Sequence, residues 1–122
     1  MRNYKEWLSE QGIKFHDTNA GLLFRYQGGG FIIADNRNDK QYLQIIMPNI
    51  YEIQTFDKDK AYRIANKLNN EIKSLKVIIQ DDDNVWLTVE QFLDDTPNVE
   101  DFMERLLNIL LRGRLKFQML MG

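Results

Sequence analysis

The spacing of hydrophobic and polar residues changes several times along this chain, and each change predicts a different element. The N-terminal segment 3–11 opens with Asn3 three residues before Glu6, which is the arrangement of a capping box. Its apolar residues recur at helical spacing, and Gly12 follows directly. The pattern predicts a short amphipathic helix.

Three segments rich in branched and aromatic residues come next, at 21–26, 30–35 and 41–47. A glycine-containing turn separates the first two, and the polar stretch 36–40 separates the last two, as expected for antiparallel strands. Pro48 interrupts the third segment, but alternation resumes over 50–53. We therefore expect a long strand with a bulge at the proline, and we expect that segment to lie at a sheet edge.

The second half begins with apolar residues at three- and four-residue steps over 57–73, which predicts an amphipathic helix. Segments 75–79 and 84–92 read as the two strands of a hairpin. A last helix is predicted to begin either with Thr96 as its cap and Pro97 in its first turn, or at Asn98 and Asp101.

The predicted order is therefore α-β-β-β-α-β-β-α, with antiparallel pairing through short turns. Helices on one face of such a sheet make a two-layer α+β domain. A length of 122 residues suits a single domain over 1–122.

Composition narrows the class of protein. Hydrophobic residues make up 43% of the chain, and the net charge is −2, so there is no general attraction to nucleic acid or membrane surfaces. The absence of cysteine excludes disulfides and thiolate chemistry. With no signal-peptide pattern at its start and no long apolar run, the chain is expected to be cytoplasmic.

The stretch 76–95 holds the chain's most suggestive acidic residues. Asp81, Asp82 and Asp83 precede a predicted strand, and Asp94 and Asp95 follow it. A nine-residue strand spans roughly 30 Å, so the two groups are not expected to share an ion. The first group also fails the calcium-loop pattern. We interpret the first group as a hairpin turn. We interpret the second group as the entry to the last helix, where the helix dipole stabilises negative charge.

Other catalytic motifs fail as well. The glycines of "YQGGGF" precede a strand rather than a helix, so no phosphate loop is predicted. His16 is the only histidine and is placed in the link before the first strand, and no serine lies in a nucleophile motif. We expect no catalytic residue, no metal and no cofactor. An enzyme that uses scattered carboxylates for metal or acid–base chemistry is the alternative.

One basic cluster, Arg112, Arg114 and Lys116, lies near the end of the last helix. Cations there complement the helix dipole, so nucleic-acid binding is only a weak third hypothesis. The following tail, "LKFQMLMG", is rich in apolar residues and suits docking either within the chain or across a dimer.

The predicted sheet has an unusual second face. Leu43, Ile45 and Met47, with Val85, Leu87 and Val89, point to the core. The opposite face should be polar if it met only water, yet it carries several apolar residues. We expect it to bind another chain unless the last helix or a twist of the sheet covers it. The candidate partner-binding residues are Tyr42, Ile46, Trp86, Thr88 and Phe92.

The chain resembles the YbjN-like family, whose fold is similar to that of type III secretion chaperones. The resemblance rests on a short helix ending at "QGIKF", the hairpin "GLLFRYQGGGFIIAD", the segment "YLQIIMPNIYEI", the stretch "ANKLNNEIKSLKVIIQDDDNVWL" and the closing "VEDFMERLLNILL". Ala65, Leu68 and Asn69 match its helix-to-strand pattern. The resemblance implies a small dimer-forming α+β protein that binds other polypeptides, or a regulatory protein.

Residues and resemblance together predict a protein-interaction module rather than an enzyme. We expect a homodimer with a polypeptide partner, held by strand addition at a sheet edge and by side chains on the second face.

Overall fold

The computed structural model describes residues 3–35, 39–95 and 97–122, and within them it contains a six-stranded sheet and three α-helices. The fold class predicted from the sequence is confirmed. The elements in chain order are α1 (Tyr4–Glu10), β1 (Phe15–Thr18), β2 (Gly21–Tyr26), β3 (Gly29–Ala34), β4 (Tyr42–Glu52), α2 (Lys58–Glu71), β5 (Leu75–Ile79), β6 (Asn84–Phe92) and α3 (Met103–Met121). Short 3₁₀ turns at Thr55–Asp57 and Val99–Asp101 precede α2 and α3.

All strand pairs in the sheet are antiparallel, in the order β1-β2-β3-β4-β6-β5. Alternate residues of the strands are buried on one face, where α2 and α3 pack. Helix α3 approaches the sheet closely at Gly113, where an added Cβ would lie 2.8 Å from a Leu75 methyl carbon. This helix-covered face is the core face, and its buried strand residues include Phe31, Ile33, Leu43, Ile45, Met47, Val77, Val85, Leu87 and Val89.

Strand β1 was not predicted. The sequence interpretation placed His16 in a link, whereas it lies within β1 and pairs with Leu23 of β2. Only one of the four β1 residues is apolar, so no hydrophobic alternation marks the segment. The strand forms because β2 offers it an unpaired edge, and that is a tertiary interaction.

The predicted irregularity in β4 is present, because its register against β6 shifts between Met47 and Tyr51. The predicted edge position is wrong for the strand as a whole, since β4 lies between β3 and β6. Its register with β3 involves only Ile45 and Ile46, so the part after Met47 pairs with β6 alone. Pro48 therefore lies where its missing N–H removes no bond to β3.

The last helix does not begin at Pro97, the first of the two predicted starts, whereas the alternative cap Asn98 is present. Thr96 and part of the predicted turn 36–40 lie outside the described residues. Pro97 is not helical; instead Asn98 caps the 3₁₀ turn, its side chain accepting a hydrogen bond from the Glu100 amide at 3.2 Å. Asp94 and Asp95 therefore lie well before α3 rather than directly at its start.

The two edge strands of the sheet, β5 and β1, differ in the hydrogen bonds along their outer edges. At the β5 edge, the Asn69 side chain of α2 accepts a hydrogen bond from the Val77 amide at 2.6 Å and donates one to the Val77 carbonyl at 3.3 Å. The side-chain amide thus replaces a neighbouring strand at the middle of β5. Within the described residues, β1 has backbone ladder bonds to β2 only, so its outer edge is open.

Candidate functional site

The sheet face opposite α2 and α3, here called the open face, brings together all five residues predicted to bind a partner. Tyr42 and Ile46 of β4 lie beside Phe92 and Thr88 of β6 in the antiparallel register, and Trp86 follows on β6. The alternation of buried and partly exposed residues along both strands shows that the final helix does not cover this face. The expectation of a half-apolar second face therefore describes its surface correctly, while its role in binding stays a prediction.

An aromatic pair occupies one end of the open face. The rings of Tyr42 and Phe92 lie with their centroids 5.4 Å apart at an angle of 59°. Phe92 is nevertheless 79% exposed, which is unusual for a large apolar side chain that already has a neighbour. This end of the face thus presents a ring with most of its surface still available for burial.

Trp86 lies toward the other end of the open face, opposite Ile78 of β5. Its indole N–H donates a hydrogen bond of 3.0 Å to the Asn49 side-chain oxygen. Asn49 sits in the β4 irregularity with a φ of 52°, a left-handed conformation that asparagine tolerates. The bulge therefore holds the indole in place while leaving it half-buried.

Thr88 lies at the centre of the open face, between Ile46 on β4 and Lys76 on β5. It is only 1% exposed, and its hydroxyl has no hydrogen-bond partner among the described residues. A buried hydroxyl without a partner is unfavourable, so such groups are uncommon in folded proteins. The middle of the face thus combines apolar surface with one unsatisfied polar group.

A polar network borders this centre. Glu90 receives a hydrogen bond from Lys76 at 2.9 Å and another from Gln44 at 3.3 Å, and it also bonds to the Tyr42 hydroxyl. The bond from Lys76 holds the pKa of Glu90 below its ordinary value. Burial, together with Glu90, raises the pKa of Tyr42 to about 12. At neutral pH this network therefore has a charged carboxylate and a protonated phenol.

The aspartates do not form a common site. Asp81–Asp83 make the β5–β6 turn, in which Asp83 has a φ of 67° and the Asp82 carboxylate accepts the Asn84 amide at 3.1 Å. That bond lowers the pKa of Asp82. Asp94 and Asp95 follow the opposite end of β6, and Asp95 accepts a hydrogen bond from Gln41. No group of three or more metal-ligating side chains occurs in residues 3–35, 39–95 and 97–122.

The basic cluster of α3 is not one surface. Arg114 donates a hydrogen bond of 3.1 Å to the Gly28 carbonyl in the β2–β3 turn. Arg112 instead lines a groove between α2 and α3, together with Glu71 and Glu104. Arg112 and Arg114 diverge because positions two apart on a helix point in different directions.

Sequence reasoning missed the part of the open face that β2 and β3 contribute. Leu23 and Arg25 point to this face, next to Ile32 and Gly30. The sequence does indicate this second face, because Leu22, Phe24 and Tyr26 alternate with Leu23 and Arg25 in "GLLFRY". The row His16, Leu23, Ile32, Ile46, Thr88 and Lys76 is in register across all six strands.

Comparison with solved structures supports the same fold. A chain of the heterodimeric ExoU–SpcU complex from the type III secretion system of Pseudomonas aeruginosa is similar at a TM-score of 0.71, with 15% identity over 97% of both chains. An uncharacterized protein from Methanothermobacter thermautotrophicus has a TM-score of 0.64 and 14% identity, over 96% of this chain and 92% of that one.

YbjN of E. coli, provisionally described as a transcription regulator, has a TM-score of 0.57 and 16% identity, over 96% of this chain and 84% of YbjN. The chain therefore has a YbjN-like fold of the type III secretion chaperone kind, as the sequence resemblance implied.

No protein-family model matches the sequence, and no curated protein matches it either. Within the described ranges, none of the helices combines the length and the apolar character needed to cross a membrane.

Proposed function

We propose that this protein is a non-enzymatic module that binds an extended segment of a partner polypeptide across its open face. The observation that carries the proposal is the uncovered apolar surface formed by Tyr42, Ile46, Trp86 and Phe92 in the middle of the sheet. Exposed apolar surface bordered by polar residues, here the Gln44–Glu90 pair between the aromatic pair and Ile46, is typical of protein-interaction sites. Aromatic residues contribute strongly to such interfaces because they bury a large area with few rotatable bonds.

The edges of the sheet add a second contribution. A polypeptide in extended conformation can pair with an open edge strand while alternate side chains lie on the sheet face. The β1 edge is open, and the β5 edge is occupied at Val77 by Asn69. The solved neighbour from the ExoU–SpcU complex comes from a heterodimer of two polypeptides, which supports a polypeptide as the ligand.

Site-specific photocrosslinking tests this proposal. A benzophenone amino acid placed at Phe92 should form adducts with a partner polypeptide in cells of the source organism. The same substitution at Phe56 is the matched control, because Phe56 is 86% exposed but lies in the turn before α2 rather than on the open face. Adding Ile46→Asp to the Phe92 variant should reduce the adduct at least fivefold, because a buried carboxylate is strongly unfavourable in an apolar contact.

Adducts of equal yield from positions 92 and 56 would contradict the proposal. An adduct at position 92 that Ile46→Asp leaves unchanged would do so too, provided that circular dichroism shows the variant folded. If the only adduct were a second copy of the chain, the open face would be a dimer interface rather than a partner site.

We also propose that the protein forms a homodimer through the outer side of α3. Leu115 is 57% exposed and Met119 is 70% exposed, one helical turn apart, although the same helix buries Phe117 completely. Sedimentation equilibrium should show a dimer that Leu115→Lys with Met119→Lys converts to monomer, whereas Phe56→Lys leaves it intact. A monomeric wild-type protein, or a dimer unaffected by the α3 double substitution, would refute this interface.

A further inference from the structure

A depression of about 370 Å³ lies on the open face beside the β1 edge. Its lining residues are Lys14, His16, Leu23, Phe24, Arg25 and Gly30, and we call it the cationic depression. Leu23 is 39% exposed, so apolar surface lies next to two positively charged side chains, whereas the Phe24 side chain is buried on the core face.

The charges of the cationic depression are not neutralised within the described residues. No carboxylate there forms an ion pair or hydrogen bond with Lys14, His16 or Arg25. Asp17, the acidic residue of β1, instead pairs with Lys5 of α1 at 2.8 Å. Continuing the β1–β2 register by one position beyond Phe15 and Phe24 places Lys14 opposite Arg25. Like charges in opposite positions destabilise a strand pair unless an anion lies between them.

The Arg25 guanidinium is also positioned to receive a ligand. It lies near Gly30 on β3, where an added Cβ would be 3.9 Å from its Nη1 atom. Because Gly30 has no side chain, nothing from that position covers the guanidinium. Guanidinium groups bind carboxylates through two parallel N–H···O bonds, a geometry that an ammonium group does not provide.

We infer that the partner segment is acidic, and that it adds to the β1 edge with carboxylate side chains at alternate positions over the cationic depression. This inference rests on the proposed function and specifies its ligand. Side chains two apart in an extended strand point to the same face, with a repeat of about 6.6 Å. Two carboxylates at this spacing would face Lys14, just before β1, and His16 on β1. Arg25 lies on β2, two strand spacings or about 9.6 Å from the added segment, a distance that an arginine and a glutamate side chain span together. The apolar residues between the carboxylates would point to the opposite face, on the side of Phe15.

Fluorescence anisotropy with defined peptides tests the inference. The probe is a fluorescein-labelled peptide of sequence TVEVEVT, compared with TVQVQVT and TVKVKVT at low and at physiological salt. We expect the glutamate peptide to bind at least tenfold more tightly than the glutamine peptide, and we expect added salt to reduce this preference. N-methylation of alternate backbone amides on one edge of the peptide should abolish binding, because strand addition needs those donors.

Charge reversal provides the decisive variant. Arg25→Glu should lose the preference for the glutamate peptide and favour the lysine peptide instead. Arg63→Glu is its matched control, because it makes the same change in charge at an exposed position of α2, in the other layer of the protein. The control should change the glutamate-peptide affinity by less than twofold, whereas Lys14→Glu should weaken it at least fivefold.

Equal binding of the glutamate and glutamine peptides, or equal effects of Arg25→Glu and Arg63→Glu, would overturn the inference. So would tighter binding of a fluorescein-labelled 15-nucleotide thymidine strand than of the glutamate peptide, since the depression would then suit a nucleic-acid backbone. If photocrosslinking at position 92 captures a partner while the peptides show no acidic preference, the inference fails and the proposed function stands. If position 92 captures nothing and the peptides do not bind, both fail.

Discussion

Gly21→Ala is expected to unfold this protein or to lower its free energy of unfolding by about 3 kcal/mol or more. Gly21 opens β2 with a φ of 137°, in a region that residues with a side chain rarely adopt. An added Cβ would also lie 2.0 Å from the carbonyl oxygen of Ile33 on β3, which is a clash with backbone. Relief would require β2 and β3 to separate at the register pair of Gly21 and Ala34.

Urea denaturation monitored by circular dichroism measures this effect, with Gly12→Ala as the control. Gly12 has a φ of 75°, but an added Cβ there has nothing within 4 Å. Its replacement should cost only the strain of the left-handed conformation, about 1–2 kcal/mol. A Gly21→Ala protein whose midpoint matched that of Gly12→Ala would show that the β2–β3 approach is not as tight as described.

Phe117→Ala is expected to lower the free energy of unfolding by about 3–5 kcal/mol, because it creates a cavity in the core. Phe117 is completely buried on α3, and its ring contacts that of Tyr51 on β4 edge-on, with centroids 5.6 Å apart. Tyr51 belongs to the part of β4 that pairs with β6 alone, so this contact also anchors α3 to that end of the strand.

Met119→Ala is the matched control for Phe117→Ala, since it truncates a side chain on the same helix that is 70% exposed. Its effect on a monomer should stay within about 0.5 kcal/mol. Both variants should be compared at one protein concentration, because self-association would add to the measured stability. Similar losses for the two substitutions would mean that the C-terminal part of α3 is not docked on the sheet as described.

The burial of residues along α3 shows how the apolar tail "LKFQMLMG" docks. The tail docks within the chain through Phe117 and Met121, which are buried, while Leu115, Met119 and Leu120 remain exposed. The sequence offered both outcomes because the apolar residues after position 113 do not follow a single helical stripe. Only the position of α3 over the sheet determined which of them are covered.

The strands with clear alternation were predictable to within a residue or two. The predicted bounds 75–79 and 84–92 are those of β5 and β6, because each has apolar residues at period two and a turn of polar residues between them. The division of β4 and β6 into a core face and a second face followed from the same alternation. All five candidate residues were located on that second face without any knowledge of the fold, namely Tyr42, Ile46, Trp86, Thr88 and Phe92.

Features that depend on a distant partner were not predictable. Strand β1 exists because β2 pairs with it, and the side chain of Asn69 closes the β5 edge because α2 lies beside Val77. The cationic depression likewise needs β1, β2 and β3 side by side before Lys14 and Arg25 become neighbours. None of these contacts produces a hydrophobic periodicity in the segments that make them.

The sequence by itself determined the α+β class, the order of most elements and the identity of the residues on each side of the sheet, because local periodicity reflects which side chains must be buried. Only the tertiary structure decided that the helices leave the second face open, and that Asn69 occupies the β5 edge while the β1 edge stays open. It also decided that Lys14 and Arg25 lie side by side. Those outcomes depend on how elements distant in sequence pack together, and no local pattern encodes that packing.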